Sequence, residues 1–181
     1  VEPAFTLVQQ VLATGTPVVT ANKSLVAARG EALFDAAAQH DTHLLCEAAV
    51  IAGMPLLTLL QNRPLAARVG RLSGIVNGTT NFVLSAMEHQ RLSLEEAVRA
   101  AQDLGYAEPD PGADIHGIDA AEKLVILLLH LGVRGVGREQ LEVRGIENVT
   151  VGDLLHAREL GGTLKLIAHA KFRLLVVYID I

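Results

Sequence analysis

Residues 17–49 read PVVTANKSLVAARGEALFDAAAQHDTHLLCEAA, and this stretch decides the class of fold. The apolar run at 17–21 predicts a short buried strand, the Ala- and Leu-rich segment 24–40 predicts a helix, and 44–49 predicts a second strand. A strand, a helix and a strand in this order favour parallel strands joined by a crossover helix. The pattern is typical of the closing half of a doubly wound sheet.

Helical and strand patterns continue on both sides of this stretch. Apolar side chains at helical spacing predict a helix over 4–14, which Gly15 ends. We predict further helices over 55–61, 79–88, 93–104, 117–131 and 151–160, strands over 68–76 and 172–181, and loops over 106–116 and 132–145. The predicted fold class is α/β, with helices packed on a mixed sheet and the closing portion of a Rossmann-type doubly wound domain whose first half is missing.

Capping residues mark the starts of two predicted helices. Ser93-Leu94-Glu95-Glu96 is a capping box, in which the serine and the second glutamate each satisfy a backbone N–H of the first turn. Thr79 is the expected cap of the helix over 79–88. Residues 124–129 are apolar on every face of their helix, so we expect this part of the helix to be buried.

Composition and charge exclude several classes of protein. Half of the 181 residues are hydrophobic and the formal net charge is −5, without clusters of Lys and Arg, which argues against a nucleic-acid-binding surface. Cys46 is the only cysteine, so no intramolecular disulfide can form and a reducing, cytoplasmic compartment is expected. The longest apolar runs, 124–129 and 174–178, are too short to span a bilayer. Because the sequence starts without Met and ends within a strand pattern, we expect both ends to be cut.

Four short stretches carry unusual polar residues, and the first is Thr20-Ala21-Asn22-Lys23. It follows a predicted parallel strand, and open α/β sheets bind their ligands at the carboxyl ends of such strands. Asn22 can hold a tight turn there, and Lys23 can offer a positive charge to an anion. An ordinary exposed lysine is the alternative, since most lysines lie at the surface.

The second stretch is Glu47-Ala48-Ala49-Val50-Ile51-Ala52-Gly53-Met54-Pro55. Glu47 follows an apolar strand, so we expect its charge near a buried edge, where a carboxylate needs a cation or several hydrogen-bond donors. The small residues after it would expose backbone carbonyls, and oxygen ligands of this kind suit a hard cation. The alternative is that Glu47 caps a helix or forms a salt bridge with a neighbour.

The third stretch, Gly74 to Asn81, joins the end of a predicted strand to the start of a helix. Its Asn-Gly-Thr-Thr-Asn sequence at 77–81 places several amide and hydroxyl groups at one point. Unpaired N–H groups at a helix N-terminus favour anions, including a substrate carboxylate. A structural turn with a cap explains the same residues.

The fourth stretch runs from Gly105 to Lys123 and is the richest in acidic residues. Four carboxylates fall within its loop and helix start: Glu108, Asp110, Asp114 and Asp119. Such crowding is unfavourable unless a cationic group binds among them. Lys123 lies one helical turn after Asp119 and directly before an apolar run, so we expect it at the border of the core. A partly desolvated lysine can exchange protons near neutral pH, which makes Lys123 a candidate for proton transfer; a surface pair of acid and base is the alternative.

Taken together and in this order, the four stretches resemble the homoserine dehydrogenases. The resemblance covers about residues 1–168 and rests on TANK at 20–23, EAAV at 47–50, NGTTN at 77–81 and GYAEPDP at 105–111. This family interconverts L-homoserine and L-aspartate 4-semialdehyde with NAD or NADP, in the biosynthesis of threonine, methionine and isoleucine. The resemblance implies that 1–45 is a remnant of the dinucleotide-binding domain and that 46–181 is the catalytic, substrate-binding and dimerisation domain.

The resemblance also implies a role for each residue of the substrate site. Lys123 would be the proton donor and acceptor for the substrate hydroxyl. Glu108 and Asp119 would hold the substrate through its ammonium group, and Asp114 would order this acidic cluster. Further substrate contacts would come from Gly105, Tyr106 and Thr79.

For the cofactor and a cation, the resemblance implies two further sites. Asn22 and Lys23 would face the nicotinamide cofactor. A monovalent cation, usually sodium in this family, would bind the Glu47 side chain and three backbone carbonyls, those of Val50, Ala52 and Met54. The Ile51-Ala52 pair departs from the commoner glycine-rich form of this loop.

The Gly-x-Gly-x-x-Gly motif of a dinucleotide-binding domain is missing from this sequence. Gly132, Gly135 and Gly137 do not follow a predicted strand, so they are no substitute. Two alternatives are another two-domain amino-acid oxidoreductase and a non-catalytic dimerisation or ligand-binding module. The module would be marked by loss of Lys123 or Glu108, and both are present. The resemblance further implies a homodimer acting on a small molecule, with no nucleic acid and no membrane as partner.

Overall fold

The computed structural model describes residues 1–61, 69–171 and 176–180. The chain forms two compact units whose segments alternate along the sequence. Unit 1 comprises Val1–Gly70 and Glu122–Gln140, and unit 2 comprises Arg71–Ala121 and Leu141–Ile181. The division into domains at residues 45 and 46 concerns function, and it stays a prediction.

Helices and short strands follow one another along the chain. The first are α1 (Glu2–Ala13), β1 (Val18–Val19), α2 (Lys23–Gln39), β2 (Leu44–Leu45), α3 (Leu56–Gln61), β3 (Arg71–Gly74) and α4 (Gly78–Gln90). They are followed by α5 (Leu94–Asp103), α6 (Gly112–Ile115), α7 (Ile118–His130), α8 (Val151–Glu159), β4 (Ile167–Lys171) and β5 (Val176–Asp180). The predicted α/β class is confirmed. Within the described residues, no helix is both long and apolar enough to cross a membrane.

Unit 1 contains the predicted parallel β-α-β arrangement. Val18 pairs with Leu44 and Val19 with Leu45 in a parallel ladder, and α2 forms the crossover between the two strands. The core of this unit is formed by buried side chains of α1, α2 and β2: Leu12, Leu25, Leu33, Ala37 and Leu44. Gly15 ends α1 as predicted, because its backbone adopts a φ of +76° and its N–H donates to the Leu12 carbonyl at 2.9 Å.

The predictions of a buried strand over 17–21 and of a second strand over 44–49 are wrong in part. Each strand is only two residues long, and the exposed fraction is 80% for Val19 and 52% for Leu45. Successive side chains of a strand point to opposite faces, so only Val18 and Leu44 face the core. The strand predicted over 44–49 ends at Leu45 because Glu47–Ala49 forms a 3₁₀ turn.

Unit 2 is built on an antiparallel sheet in the order β3-β4-β5. Arg71 lies opposite Lys171, and Ile167 lies opposite Asp180. The strand predicted over 68–76 is confirmed at Arg71–Gly74, and position 68 lies outside the described residues. The strand predicted over 172–181 is confirmed at Val176–Asp180, while 172–175 and 181 lie outside the described residues. The strand β4 was not predicted.

Helix caps in unit 2 follow the predicted chemistry with one correction. The capping box is confirmed, since Glu96 N–H donates to Ser93 Oγ at 3.2 Å and Ser93 N–H donates to Glu96 Oε2 at 2.8 Å. Thr79 does not cap α4. Asn77 does, because its Oδ1 accepts from the Thr80 N–H at 2.8 Å and the helix therefore begins at Gly78.

The loop predicted over 106–116 contains one short helix, α6. The Ile146 N–H donates to the Ile115 carbonyl at the end of this helix, at 2.7 Å. A Cβ on Gly145 would overlap that carbonyl and the Cα of His116, so the neighbouring chain approaches closely only because residue 145 is glycine. The burial predicted for 124–129 of α7 is confirmed for Leu124–Leu128, whereas Leu129 is half-buried.

Candidate functional site

The side-chain amide of Asn77 connects three segments of unit 2. Its Nδ2 donates to Asp114 Oδ1 at 2.6 Å and to Asp119 Oδ2 at 2.8 Å. Its Oδ1 accepts from both the N–H and the hydroxyl of Thr80, each at 2.8 Å. We call Asn77, Thr80, Asp114 and Asp119 the Asn77 cluster. It brings together the start of α4, the short α6 and the first turn of α7.

The Asn77 cluster holds two carboxylates at a nearly buried point. The exposed fraction is 4% for Asn77 and 6% for Asp119, while Asp114 is half-buried. Two like charges this close repel each other, and an N–H donated to each carboxylate offsets part of that repulsion. Asp114 and Asp119, predicted from the sequence as substrate residues, are therefore brought together in the structure. Such an arrangement suits a cationic ligand.

Three other predicted substrate residues form a surface beside the first turn of α4. Thr79 Oγ1 donates to the Tyr106 backbone carbonyl at 2.7 Å. The Tyr106 ring stacks on Phe82, with 4.9 Å between centroids and 24° between planes, and it is 59% exposed. Gly105 adopts a φ of +77°, which turns the chain after α5. Thr79 thus joins the Gly105-Tyr106 turn to the helix that carries Asn77.

Glu108 and Lys123 are less enclosed than the Asn77 cluster. Glu108 is exposed in the loop after α5, and its backbone carbonyl accepts from Gln102 Nε2 at 3.2 Å. Lys123 is half-buried on α7, one helical turn after Asp119. Asp110, the fourth carboxylate of this stretch, accepts from the Gly112 N–H at 3.1 Å and so supports the start of α6.

In unit 1, the predicted cofactor residues form a turn and a helix cap. Asn22 N–H donates to Thr20 Oγ1 at 3.1 Å, and Asn22 Oδ1 accepts from the Leu25 N–H at 3.1 Å. Asn22 is therefore the N-cap of α2, which confirms the predicted tight turn. Lys23 is the first residue of that helix and is half-buried.

Glu47 holds the start of α3. Its Oε1 accepts from the Leu57 N–H at 2.7 Å, and its Oε2 accepts from the Thr58 N–H at 2.9 Å and the Thr58 hydroxyl at 2.6 Å. Burial raises the pKa of the Glu47 carboxyl, but the hydrogen bonds from Thr58 and Leu57 and the nearby His130 lower it, so the carboxyl titrates below its ordinary value. Of the two sequence-based alternatives for Glu47, the helix cap is therefore present.

The predicted cation ligands follow Glu47 in the same loop. Val50 is buried, whereas Ala52 and Met54 are exposed. The Met54 carbonyl accepts from the Leu56 N–H at 2.8 Å. Within 1–61, 69–171 and 176–180, no three His, Cys, Asp or Glu side chains converge on a point that could hold a metal ion. A cation site in this loop would therefore depend on backbone carbonyls, and it stays a prediction.

A cavity of about 430 Å³ opens at the carboxyl ends of β1 and β2, where a parallel sheet places its ligands. Thr20, Cys46, Glu47 and His130 contribute to its lining. Burial and the charge of Glu47 raise the pKa of the Cys46 thiol to about 11, so the thiol stays protonated near neutral pH. Burial lowers the pKa of His130, whose Nδ1 donates to the Ile126 carbonyl at 2.8 Å. Both groups therefore line the cavity as neutral side chains.

Sequence patterns alone do not reveal the bridging position of Asn77 or the contacts of Thr58 and His130. Asn77 was visible as part of a turn, but its carboxylate partners lie 37 and 42 residues further along the chain. Thr58 and His130 carry no local signal, because neither residue type belongs to a motif in the sequence around it.

Comparison with known proteins decides the family. Residues 55–181 match the sequence model of the family described as homoserine dehydrogenase. The chain belongs to the homoserine dehydrogenase family. It is 43% identical to a homoserine dehydrogenase of Synechocystis over 170 residues, which are 93% of this chain and 39% of the relative. A homoserine dehydrogenase of Bacillus subtilis is 41% identical over 85% of this chain and 36% of its own length. The chain thus spans about two fifths of the length of the curated relatives it matches.

Solved homoserine dehydrogenases share the fold of this family member. The structure of the Thiobacillus denitrificans protein matches 98% of this chain and 42% of its own, with a TM-score of 0.91 and 41% identity. A hyperthermophilic archaeal homoserine dehydrogenase, solved in complex with NADPH, matches 99% of this chain and 52% of its own, with a TM-score of 0.82 and 28% identity.

Proposed function

We propose that this member of the homoserine dehydrogenase family forms part of an enzyme that interconverts L-homoserine and L-aspartate 4-semialdehyde with NAD or NADP. One observation carries the proposal beyond family membership: the Asn77 cluster gathers Asp114 and Asp119 at a nearly buried point. A buried pair of carboxylates favours a cationic ligand, and the ammonium group of an amino acid is such a ligand.

In this proposal, the carboxylates of Asp119 and Glu108 bind the substrate ammonium group, and Asp114 fixes the arrangement of Asp119 through the shared amide of Asn77. Binding the head group at a fixed point sets the distance between the reacting carbon and its partners, which lowers the entropic part of the barrier. Exposed Glu108 approaches the ligand from the loop after α5. The remaining wall of the subsite is supplied by Thr79, Gly105 and Tyr106.

Lys123 is the proposed proton donor and acceptor. A bound nicotinamide would accept or supply the hydride, which is the chemistry of the cofactor. In the oxidative direction, the neutral amine of Lys123 takes the proton of the substrate hydroxyl at Nζ. In the reductive direction, its ammonium form returns that proton. The half-buried position of Lys123 on α7, next to the fully apolar part of that helix, supports this assignment.

We place the proposed cofactor-binding site at the carboxyl ends of the parallel strands β1 and β2 in unit 1. The cavity at β1 and β2 has the position that ligands of open α/β sheets occupy, and Thr20 and Ala21 of the turn contribute to it. Asn22 fixes the turn by capping α2, and Lys23 contributes a positive charge for an anionic cofactor. The NADPH bound to the archaeal relative favours NADP as one cofactor.

The proposed cation site combines Glu47 with the carbonyls of Val50, Ala52 and Met54. A carboxylate has about four sites that can accept a donor or a cation, and within the described part of the chain Leu57 and Thr58 occupy three of those of Glu47. A carbonyl has two lone pairs, and Met54 uses one for Leu56. The residues therefore fit a monovalent cation such as sodium. A homodimer and a cytoplasmic location complete the proposal.

The first experiment measures homoserine oxidation as the appearance of NADH or NADPH absorbance. It compares the full-length protein that carries this sequence with its Lys123→Ala variant. Activity in the parent and near-total loss in the variant would support both the reaction and the proton-transfer role. If the parent protein oxidises no homoserine with either cofactor, the proposal fails, and a panel of other amino-acid substrates would follow.

A further inference from the structure

We propose that Asn77 is a positioning residue that fixes Asp119, a carboxylate of the ammonium subsite, together with its neighbour Asp114, and that it adds no positive charge to that subsite. The inference rests on the proposed function, because the ligand it concerns is the amino-acid substrate. Asn77 itself would touch neither the cofactor nor the reacting atoms. It would act through Asp114 and Asp119, to which its Nδ2 donates.

The orientation of the Asn77 amide follows from its partners. A backbone N–H can only donate, so the atom of Asn77 that faces the Thr80 N–H at 2.8 Å must be the oxygen. The nitrogen then faces the two carboxylates, and each of its two N–H groups has an acceptor. Because Asn77 is 4% exposed, water competes little for these bonds. The amide is therefore held at both ends, and it holds the carboxylates in turn.

The chemistry of an amide explains why asparagine suits this position. Lysine or arginine at residue 77 would also bind two carboxylates, but the added positive charge would cancel part of the charge that attracts the substrate ammonium group. An amide donates two hydrogen bonds without carrying a charge. Asn77 thus reduces the repulsion between Asp114 and Asp119 and preserves the preference of the subsite for a cation.

The bridge also joins parts of the chain that are distant in sequence. Asp114 and Asp119 lie 37 and 42 residues after Asn77, on α6 and α7. A change at residue 77 would therefore displace two carboxylates at once. Such a change should therefore weaken substrate binding more than a change that removes only the N-cap of α4.

The Asn77→Asp variant separates positioning from capping. Aspartate and asparagine are about equally good N-caps, so the Thr80 N–H keeps its acceptor. The substitution replaces the donating NH₂ with a third carboxylate oxygen facing two others. We expect the KM for homoserine to rise about tenfold or more, since a hydrogen bond between charged partners is lost and repulsion is added. The KM for the cofactor should change little.

A second variant tests whether the bridge can be rebuilt. Asn77→Asp combined with Asp114→Asn restores two carboxylates and one amide to the cluster, with the donor now on residue 114. We expect this exchange to recover a substantial part of the homoserine KM and of the thermal midpoint lost in Asn77→Asp. Ser93→Asp, which changes the N-cap of α5, is the matched control and should leave both KM values unchanged.

Steady-state kinetics and thermal unfolding of the full-length protein and these three variants decide the matter. An unchanged homoserine KM in Asn77→Asp would overturn the inference, as would a double variant that recovers neither KM nor thermal midpoint. If the parent protein oxidises no homoserine, the proposed function fails separately. The thermal midpoints then still report on the bridge, because they must fall in Asn77→Asp and recover in the double variant.

Discussion

Carboxylates near the ends of β2 and β3 are satisfied in opposite ways. In unit 1, the Glu47 carboxylate accepts three hydrogen bonds from Leu57 and Thr58, ten and eleven residues away, and among the described residues it has no other donor. In unit 2, Asp114 and Asp119 each accept a hydrogen bond from Asn77, which is much more distant in sequence. The first arrangement fastens a loop to the next helix. The second gathers charge from separate elements.

This difference assigns different consequences to the loss of each charge. A carboxylate that caps a helix contributes to stability, and its removal leaves backbone N–H groups without an acceptor. A carboxylate pair held by an uncharged amide keeps its negative charge and can bind a cationic group. We therefore expect substitutions at Glu47 to act on the free energy of unfolding, and substitutions in the Asn77 cluster or at Lys123 to act on turnover or substrate binding.

The largest expected effect is on turnover, in Lys123→Ala. Loss of a general acid and base typically lowers the rate by about 10²- to 10⁴-fold, and cofactor binding should persist. Lys123→Arg keeps the positive charge but cannot release a proton near neutral pH, so it should lose turnover as well. Stopped-flow kinetics and cofactor titration measure both quantities. Near-normal turnover in the arginine variant would show that only the charge matters.

A smaller loss is expected for Asp119→Asn. The asparagine can still accept the hydrogen bond from Asn77, so the arrangement of the cluster is largely kept while one charge is removed. A hydrogen bond to a charged group contributes about 1.5–3 kcal/mol, which predicts a fall in kcat/KM of roughly 10- to 100-fold. Steady-state kinetics with homoserine measures this change. A kcat/KM within twofold of the parent would place the ammonium group elsewhere.

In unit 1, Glu47→Gln is expected to lower stability and not substrate binding. Glutamine presents one acceptor oxygen where the glutamate presents two, so at least one N–H of α3 loses its partner. We expect a loss of about 1–2 kcal/mol in the free energy of unfolding, as for other helix caps, with little change in the homoserine KM. Denaturant unfolding in sodium chloride and in choline chloride provides the measurement. A sodium-dependent stability that disappears in Glu47→Gln would support the proposed cation site.

The smallest expected effect concerns the pH dependence of stability through His130. Burial lowers the pKa of this imidazole, while the hydrogen bond to Ile126 and the charge of Glu47 oppose that shift. As the pH falls below 6.5, the ordinary pKa of histidine, His130 takes up a proton in the unfolded chain. In the folded chain, His130 takes up this proton only at a lower pH. The contribution of neutral His130 to the free energy of unfolding is therefore fully present above pH 6.5, and it is lost as the pH falls below that value.

In His130→Phe, this contribution is absent. The free energy of unfolding should fall less between about pH 7 and about pH 5 than it does in the parent. The exposed His156 offers a matched control, since His156→Phe should leave the pH dependence unchanged. Identical slopes in the parent and the His130 variant would mean that His130 is equally protonated in both states.

The elements that the sequence predicted are those with local causes. The capping box at Ser93, the end of α1 at Gly15 and the parallel strand pair each depend on residues that are close in sequence or on a simple periodicity. The fold class followed from such patterns, and the family followed from the resemblance of four short motifs to the homoserine dehydrogenases. The 3₁₀ turn at 47–49 and the exposure of Val19 could not be predicted in this way, because a short apolar run is compatible with several structures.

The candidate site was predictable as a set of residues but not as a geometry. Asp114 and Asp119 could be predicted as crowded carboxylates, because they are only five positions apart in the sequence. The amide that connects them belongs to Asn77, in a turn whose sequence is explained equally well by a helix cap alone. Only the folded chain shows that Asn77 is both the cap and the bridge, since the two roles use different atoms of one side chain.

Gly145 places a limit on how this sequence can evolve. The space beside the Ile115 carbonyl admits no Cβ, and the residue directly before Ile115 is Asp114. Even an alanine at position 145 would have to push the end of α6, together with the carboxylate that this helix carries. We therefore expect substitutions of Gly145 to be excluded by the position of Asp114, a proposed substrate-site residue 31 positions earlier in the sequence, although glycine itself contributes no group to the chemistry.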